Sequence, residues 1–168
     1  CKIKLLGVAE MKDGKLFLEV SPYCIADNVP LYGIEDVFNG IMVDTDAAGT
    51  VMFYGRGAGK LPTASAVVAD VIDCARHMQR KKFFGWADSE EGYVAEHGES
   101  ASAFYVRATT ENAAAALTQV NALFGTVKML ARDNAPDGEF AFVTDILTEK
   151  DMAEKLAVIN EAKIESVI

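Results

Sequence analysis

The sequence is short of positive charge: 16 lysines and arginines stand against 25 aspartates and glutamates, for a formal net charge of -9. Nucleic acids and anionic membranes both attract basic surfaces, so this balance argues against either as a partner. The chain also lacks an apolar run of about 18 residues, the length that a membrane-spanning helix requires. We therefore expect no nucleic-acid partner and no membrane partner.

Cysteine is scarce as well. The three cysteines, Cys1, Cys24 and Cys74, lie far apart in the sequence and form no Cys-x-x-Cys pair. The two histidines, His77 and His97, stand at no metal-ligand spacing from them. We therefore predict no metal site and three free, buried or half-buried thiols in a reducing cytosol, which indicates a cytoplasmic protein. No Gly-x-Ser-x-Gly or His-Glu-x-x-His pattern occurs either, so residue patterns predict no catalytic residue in this chain.

Apolar residues make up 51% of the chain, enough for a core, and their periodicity predicts a strand-rich first half. Residues 2–9 and 15–20 alternate as two strands around Asp13-Gly14, a strong hairpin signal, and Ser21-Pro22 is expected to end the second strand. Residues 37–43 and 50–54 predict a second strand pair. A long helix follows from Leu61, and its apolar side chains fall on one face.

The second half predicts a different fold. Residues 103–168 give the element order β-α-β-β-α-β, the ferredoxin-like split motif, in which Thr148 and Asp151 resemble a capping box. The intervening residues 83–102 are rich in glycine, serine and acids, and we interpret them as a connector partly packed by Phe83, Phe84 and Trp86. The predicted class is therefore α+β, with domains at residues 1–82 and 103–168.

A glycine-rich segment, Gly55-Arg56-Gly57-Ala58-Gly59-Lys60, joins the second strand pair to the long helix. It fits neither the phosphate-loop pattern nor the Rossmann fingerprint, which would need glycine at position 60. Exposed amides at a helix N-terminus can still hold an anion or polar ligand, and glycine lets a backbone approach it closely. A tight strand-to-helix turn without a ligand remains an equal alternative on the loop pattern alone.

Residues 55–73, GRGAGKLPTASAVVADVID, resemble homoserine dehydrogenase. The family pattern places a strand before G-x-G-A-G-x-x-P-T-A-S-A-V-x-x-D-x-I-D, and the matching positions are Gly55, Gly57, Ala58, Gly59, Pro62, Thr63, Ala64, Ser65, Ala66, Val67, Asp70, Ile72 and Asp73. Upstream, the LLGVAE and EVSP segments and Pro30, Leu31, Val37, Phe38 and Asn39 fit the same family in the same order. Residues 103–168 are similar to the ACT domain that many bacterial members carry at the C-terminus.

The resemblance implies a function for the whole protein. The family interconverts L-aspartate 4-semialdehyde and L-homoserine by hydride transfer with NAD(P), on the route to threonine, methionine and isoleucine. Its Rossmann-type domain, which selects NAD or NADP, and its catalytic residues would precede Cys1, so the chain alone is expected to be inactive. Gly59 is the cofactor-binding residue carried over, and residues 1–54 would join the sheet of a homodimer or higher homo-oligomer. The alternative is an amino-acid-sensing or oligomerising ACT module without catalysis.

Two positions depart from the family pattern. Val29 stands where members often have a histidine before the Pro-Leu pair. ACT domains that bind an amino-acid effector often carry Asp-x-Pro-Gly-Val-Leu, but here the segment from Asn112 to Leu117 reads NAAAAL. Alanine is a strong helix former, so we expect the turn to be absorbed into the helix, with Asn112 as its cap. Threonine feedback through this site is therefore predicted to be weakened, relocated or absent.

Overall fold

A computed structural model of the chain describes residues 1–81, 83, 85–88 and 90–168. The chain forms two compact units: Cys1–Lys2 with Ile25–Asp88 make unit 1, and Ile3–Cys24 with Ser89–Ile168 make unit 2. Strands and helices both occur in quantity, which confirms the predicted α+β class. The division into residues 1–82, 83–102 and 103–168 stays a prediction, and its boundary residue Lys82 lies outside the described residues.

Eight strands and three α-helices are described. Their bounds are β1 (Lys2–Lys12), β2 (Lys15–Ile25), β3 (Phe38–Thr45), β4 (Gly49–Arg56), α1 (Lys60–Arg76), β5 (Ala101–Thr109), α2 (Ala113–Phe124), β6 (Lys128–Leu130), β7 (Glu139–Thr148), α3 (Glu149–Ala157) and β8 (Lys163–Val167). Short 3₁₀ turns occupy Pro30–Gly33 and His97–Glu99. Every predicted strand and helix is thus present.

The β1–β2 hairpin turns at Asp13 and Gly14, whose φ angles are 51° and 78°. Both angles are positive, as a two-residue turn of this kind requires, so the predicted hairpin is confirmed. The prediction that Ser21-Pro22 ends the strand is wrong, because β2 continues to Ile25. β1 and β2 form a sheet of only two strands. Proline, which has no N–H to donate, is tolerated on such an edge strand.

Unit 2 contains the ferredoxin-like fold predicted for residues 103–168. Its four strands lie in the order β6-β7-β5-β8, and all neighbours are antiparallel. A core cluster joins the strands to α2 and α3, and its buried members are Phe104, Val106, Val120, Phe124, Phe142 and Met152. The core of the described chain therefore lies between this sheet and its two helices.

Side-chain caps begin both helices of this fold. Asn112 Oδ1 accepts a hydrogen bond from the Ala115 amide at 3.2 Å, and Thr148 Oγ1 accepts one from the Asp151 amide at 3.0 Å. The Thr148 hydroxyl also donates to Asp151 Oδ2 at 2.8 Å. Both predicted caps are confirmed, and each satisfies an amide that the helix itself leaves unpaired.

Backbone hydrogen bonds hold residues 93–95 of the predicted connector against β2. Phe83 and Trp86 are 93% and 90% exposed, so the predicted packing of these two rings is wrong; Phe84 lies outside the described residues. Residues 93–95 instead pair with the free edge of β2. The Leu16 amide donates to the Tyr93 carbonyl at 2.8 Å, and the Ala95 amide donates to the Leu16 carbonyl at 3.0 Å.

Substitution of Gly138 tests the close contact between two loops of the ferredoxin-like fold. It has a φ of +77°, and a Cβ there would lie 2.3 Å from the Thr110 carbonyl oxygen. Gly125 has the same φ with open space around it, so it is a matched control. We expect Gly138→Ala to cost at least about 1 kcal/mol more than Gly125→Ala, a difference of about 2–4 °C in melting temperature for a chain of this length. Equal melting temperatures would show that the contact with Thr110 is not restrictive.

Candidate functional site

The glycine-rich loop connects the end of β4 to the start of α1. Gly59 is the residue before the helix, with φ 114° and ψ 157°, a backbone region that is essentially reserved for glycine. Its carbonyl accepts the Thr63 amide at 3.1 Å, which closes the first helical turn. No described side chain caps α1. The loop therefore presents bare backbone and uncapped amides at a helix N-terminus, the geometry that suits an anionic or polar ligand.

The other two glycines of the loop differ in what surrounds them. A Cβ on Gly57 would lie 2.8 Å from the Asn39 Cβ, closer than side chains tolerate. A Cβ on Gly55 would meet nothing within 4 Å. Gly57 is thus required by the neighbouring strand β3, whereas the described chain does not require glycine at Gly55.

Arg56 is engaged within the hairpin. Its guanidinium carbon lies 5.1 Å from the centre of the Phe38 ring, and Phe38 stacks on Tyr54 with ring centres 4.9 Å apart. This cation–π contact fixes the arginine on the face of the hairpin that carries Phe38 and Tyr54. The described contacts of Arg56 are therefore structural.

Helix α1 exposes the apolar face that its sequence predicts. Val67, Val68, Val71 and Ile72 are 46–62% exposed, and no described residue of the helix is buried. The β3–β4 hairpin likewise exposes Phe53 at 64%. Unit 1 therefore exposes several large apolar side chains, and such side chains mark an interaction surface where they form a contiguous patch.

The cysteines and histidines do not assemble into a described reactive site. All three cysteines are free, but they are exposed, so the predicted burial is wrong. His77 Nδ1 lies 2.8 Å from Asp73 Oδ1, one turn earlier in α1. Across the described residues, no group of three acidic, histidine or cysteine side chains is placed to hold a metal ion. Nor does any described helix combine the length and apolar content needed to cross a bilayer.

A polar cavity of about 580 Å³ lies in unit 2, beside Asn112 at the start of α2. Three loops form it, and its lining residues are Thr109, Thr110, Glu111, Asn112, Asp137, Asn160, Glu161, Ala162 and Lys163. The loops are tied together because Thr110 Oγ1 donates to the Glu161 carbonyl at 2.7 Å and Gln119 Oε1 accepts the Asn160 and Glu161 amides. Hydrogen bonds within the chain thus hold the loops of Thr110 and Glu161 together.

The charges of this cavity are predominantly negative. Glu111, Asp137 and Glu161 stand against Lys163, and the ammonium of Lys163 lies 3.0 Å from Glu165 Oε1. The hydrogen bond from Lys163, followed by that from Thr109, lowers the pKa of Glu165 below its usual value. The one lysine of the wall is therefore already paired with a carboxylate.

Glu139, directly after Gly138, closes the loop that carries Asp137. Its side chain is 6% exposed, and Arg132 holds it with contacts of 2.7 Å and 2.9 Å. Arg107 adds a third contact at 3.2 Å. The hydrogen bonds from Arg132 are the main cause of a lowered pKa for Glu139. A bidentate arginine–carboxylate pair of this kind also fixes geometry, so it holds the two ends of the loop together.

Comparison with known proteins relates this chain to one protein family. Residues 1–72, which include the glycine-rich loop, match the homoserine dehydrogenase family model. The chain is 31% identical to the homoserine dehydrogenase of Corynebacterium glutamicum over 182 residues, covering 99% of this chain and 40% of that protein. The Synechocystis homoserine dehydrogenase is 52% identical over 75 residues, which cover 42% of this chain and 17% of that protein. This chain is homologous to the C-terminal part of homoserine dehydrogenases.

Comparison with solved structures finds homoserine dehydrogenases as well. A Staphylococcus aureus homoserine dehydrogenase at pH 7.0 matches with a TM-score of 0.66 and 28% identity, over 99% of this chain and 41% of that one. A homoserine dehydrogenase from Thiobacillus denitrificans shares the fold with a TM-score of 0.78 at 23% identity, over 99% and 42%. The chain thus spans about 40% of the length of the homoserine dehydrogenases it matches, and the predicted resemblance is confirmed.

The Glu139 clamp predicts an acid-dependent stability. Because the folded-state pKa of Glu139 is lowered, its stabilising contribution is complete above its unfolded pKa of about 4.3 and is lost as pH falls through the folded value. We expect wild type to melt above Glu139→Gln at pH 6 and this gap to close towards pH 3. Melting curves across that range measure it, with the exposed Glu154→Gln as control. A gap independent of pH would contradict the ionic contribution.

Proposed function

We propose that this chain is the C-terminal part of an NAD(P)-dependent homoserine dehydrogenase that interconverts L-aspartate 4-semialdehyde and L-homoserine in the cytoplasm. The observation that carries the proposal is the family match over residues 1–72, supported by 31% identity along 99% of the chain. That match lies outside the ferredoxin-like fold, so it favours the enzyme over a regulatory module without catalysis. Residues 1–168 alone would be inactive, since the sequence supplies no catalytic residue.

The proposed domain division assigns residues 1–82 to the end of the catalytic and dimerisation domain, 83–102 to a connector and 103–168 to an ACT-like regulatory domain. The exposed apolar face of α1 supports this division. A helix with an amphipathic pattern obtains most of its stability by packing that face. In the proposed full-length enzyme, the remainder of the catalytic domain would cover it.

Homo-oligomerisation is the second part of the proposal. Residues Ile3 and Leu5 of β1 and Leu18 and Val20 of β2 are 53–71% exposed, and the partly buried residues alternate with them. A strand places alternate side chains on opposite faces, so the hairpin carries one apolar face towards solvent. Such a face fits the homodimer, or higher homo-oligomer, that the family resemblance implies for residues 1–54.

Cofactor contact is proposed for Gly59. The backbone conformation of this residue excludes a side chain, and the uncapped amides of α1 follow it directly. A nicotinamide nucleotide could approach the backbone there without meeting a Cβ. Gly59 would therefore form one wall of the cofactor site.

The role of Gly59 can be tested in the full-length enzyme with Gly59→Val. Gly49→Val is the matched control, because Gly49 also has a positive φ, +66°, but lies in the turn at the other end of the β3–β4 hairpin. Both variants carry backbone strain, whereas only Gly59→Val would place a side chain against the cofactor. We expect Gly59→Val to raise the KM for NAD(P) at least about tenfold, or to abolish turnover, with the control close to wild type. Steady-state kinetics with melting curves measure this; unchanged kinetics with an intact fold would remove Gly59 from the site.

Regulation by threonine is proposed to be weakened, relocated or absent at the ACT-like domain. A glycine turn would offer backbone amides to the carboxylate of an amino acid, but here Asn112 caps α2 and already occupies the Ala115 amide. The acidic wall of the adjacent cavity further disfavours a carboxylate. These two features support the proposal independently of each other.

Isothermal titration calorimetry of the full-length enzyme with threonine tests this regulation. We expect no micromolar binding and no inhibition of homoserine oxidation by threonine at micromolar concentrations. Aspartate 4-semialdehyde reduction, followed in parallel, controls for active protein. Micromolar binding that Glu111→Arg or Asp137→Arg alters would contradict the proposal and place the effector in the polar cavity.

A further inference from the structure

The fold requires two of the three glycines of the loop, and the third has no structural cause in the described chain. Gly59 has a φ of +114°, which side chains rarely adopt, and Gly57 lies against Asn39. Gly55 lies inside β4 with an extended backbone and open space where its Cβ would be. A glycine within a strand costs stability, and one that the fold does not need often marks the close approach of a ligand.

Asn39 lies directly across the ladder from Gly55. Residues opposite each other on antiparallel strands point to the same face, so the Asn39 side chain and the bare Cα of Gly55 share a surface. The Asn39 side chain is exposed and makes no hydrogen bond with the described residues. Its carboxamide can both donate and accept, yet the described fold uses neither capacity.

This surface adjoins the proposed cofactor wall. Asn39 Nδ2 lies 3.3 Å from the position that a Gly57 Cβ would occupy, and Gly57 is two residues from Gly59. Two residues of extended chain span at most about 7 Å, so Asn39, Gly55 and Gly59 lie within the length of one nucleotide. A ligand against Gly59 would be within reach of the Asn39 carboxamide.

We propose that Asn39 and Gly55 form a second contact for the bound nicotinamide nucleotide, beside Gly59. The Asn39 carboxamide hydrogen-bonds the carboxamide or a ribose hydroxyl of that moiety, groups that also donate and accept. The missing side chain of Gly55 gives the nucleotide room to lie against β4. This inference rests on the proposed function, since it adds residues to the same cofactor site.

The test uses the full-length enzyme and two variants with opposite expectations for fold and binding. Gly55→Ala meets no described atom, so its melting temperature should equal or exceed that of wild type, while the KM for NAD(P) rises severalfold. Asn39→Leu keeps the shape beside Gly57 and removes the hydrogen bond. Its KM for NAD(P) should rise about threefold to tenfold, with the KM for homoserine unchanged. Asn28→Leu, at an exposed turn residue of unit 1, is the matched control.

The outcomes separate this inference from the proposed function. If wild-type full-length protein does not oxidise homoserine, the proposed function fails. If wild type is active and both variants keep the wild-type KM for NAD(P), the second contact is refuted and the function stands. A fall in the melting temperature of Gly55→Ala would likewise refute it, because the fold itself would then require that glycine.

Discussion

Apolar surface must be buried for a fold to be stable, and the two units of this chain meet that constraint to different degrees. Unit 2 encloses Phe142 and Val106 completely between a four-stranded sheet and two helices. In unit 1, Ile25 is the sole apolar side chain among the described residues that reaches full burial. Helix α1 and the β3–β4 hairpin of unit 1 instead leave apolar side chains exposed, among them Val71 and Phe53.

The topology around the glycine-rich loop is consistent with its lack of a nucleotide-binding pattern. In a Rossmann fold the loop, the preceding strand and the following helix form one wall of the dinucleotide site together. Here the preceding strand belongs to an antiparallel hairpin, and Gly59 and the uncapped start of α1 follow it. The proposed role of Gly59 depends on close approach of the backbone to the cofactor and does not require a phosphate-binding pattern.

Local signals in the sequence predicted local structure well. Asp13-Gly14 predicted a turn with two positive φ angles, and Asn112 and Thr148 predicted helix caps, because each depends on a few neighbouring residues. The family pattern likewise identified the loop around Gly59. The predictions were wrong where residues distant in the sequence determine the local structure. Pro22 continues a strand because β2 has one free edge, which the sequence alone does not reveal.

Asn39 shows the same limit at the candidate site. Nothing adjacent in sequence links it to the glycine-rich loop, and only the register of β3 against β4 brings it opposite Gly55 and beside Gly57. Gly55 and Gly57 look equivalent in the sequence, but only Gly57 lies too close to Asn39 to carry a side chain. The exposure of Trp86 and of the cysteines is a further case, since burial depends on which surface covers a side chain.

Asn112 caps α2 in the segment that departs from the effector-binding ACT pattern. A glycine turn at the start of α2 would leave backbone amides free for a carboxylate, whereas an asparagine cap satisfies one of them permanently within the fold. The alanines that follow are strong helix formers, so α2 begins directly after Asn112 at Ala113. Their side chains carry no hydrogen-bond donor. With Glu111 and Asp137 also facing the cavity, both hydrogen bonding and charge oppose an anionic group there. Both features support the proposal that threonine regulation at this fold is weakened, relocated or absent.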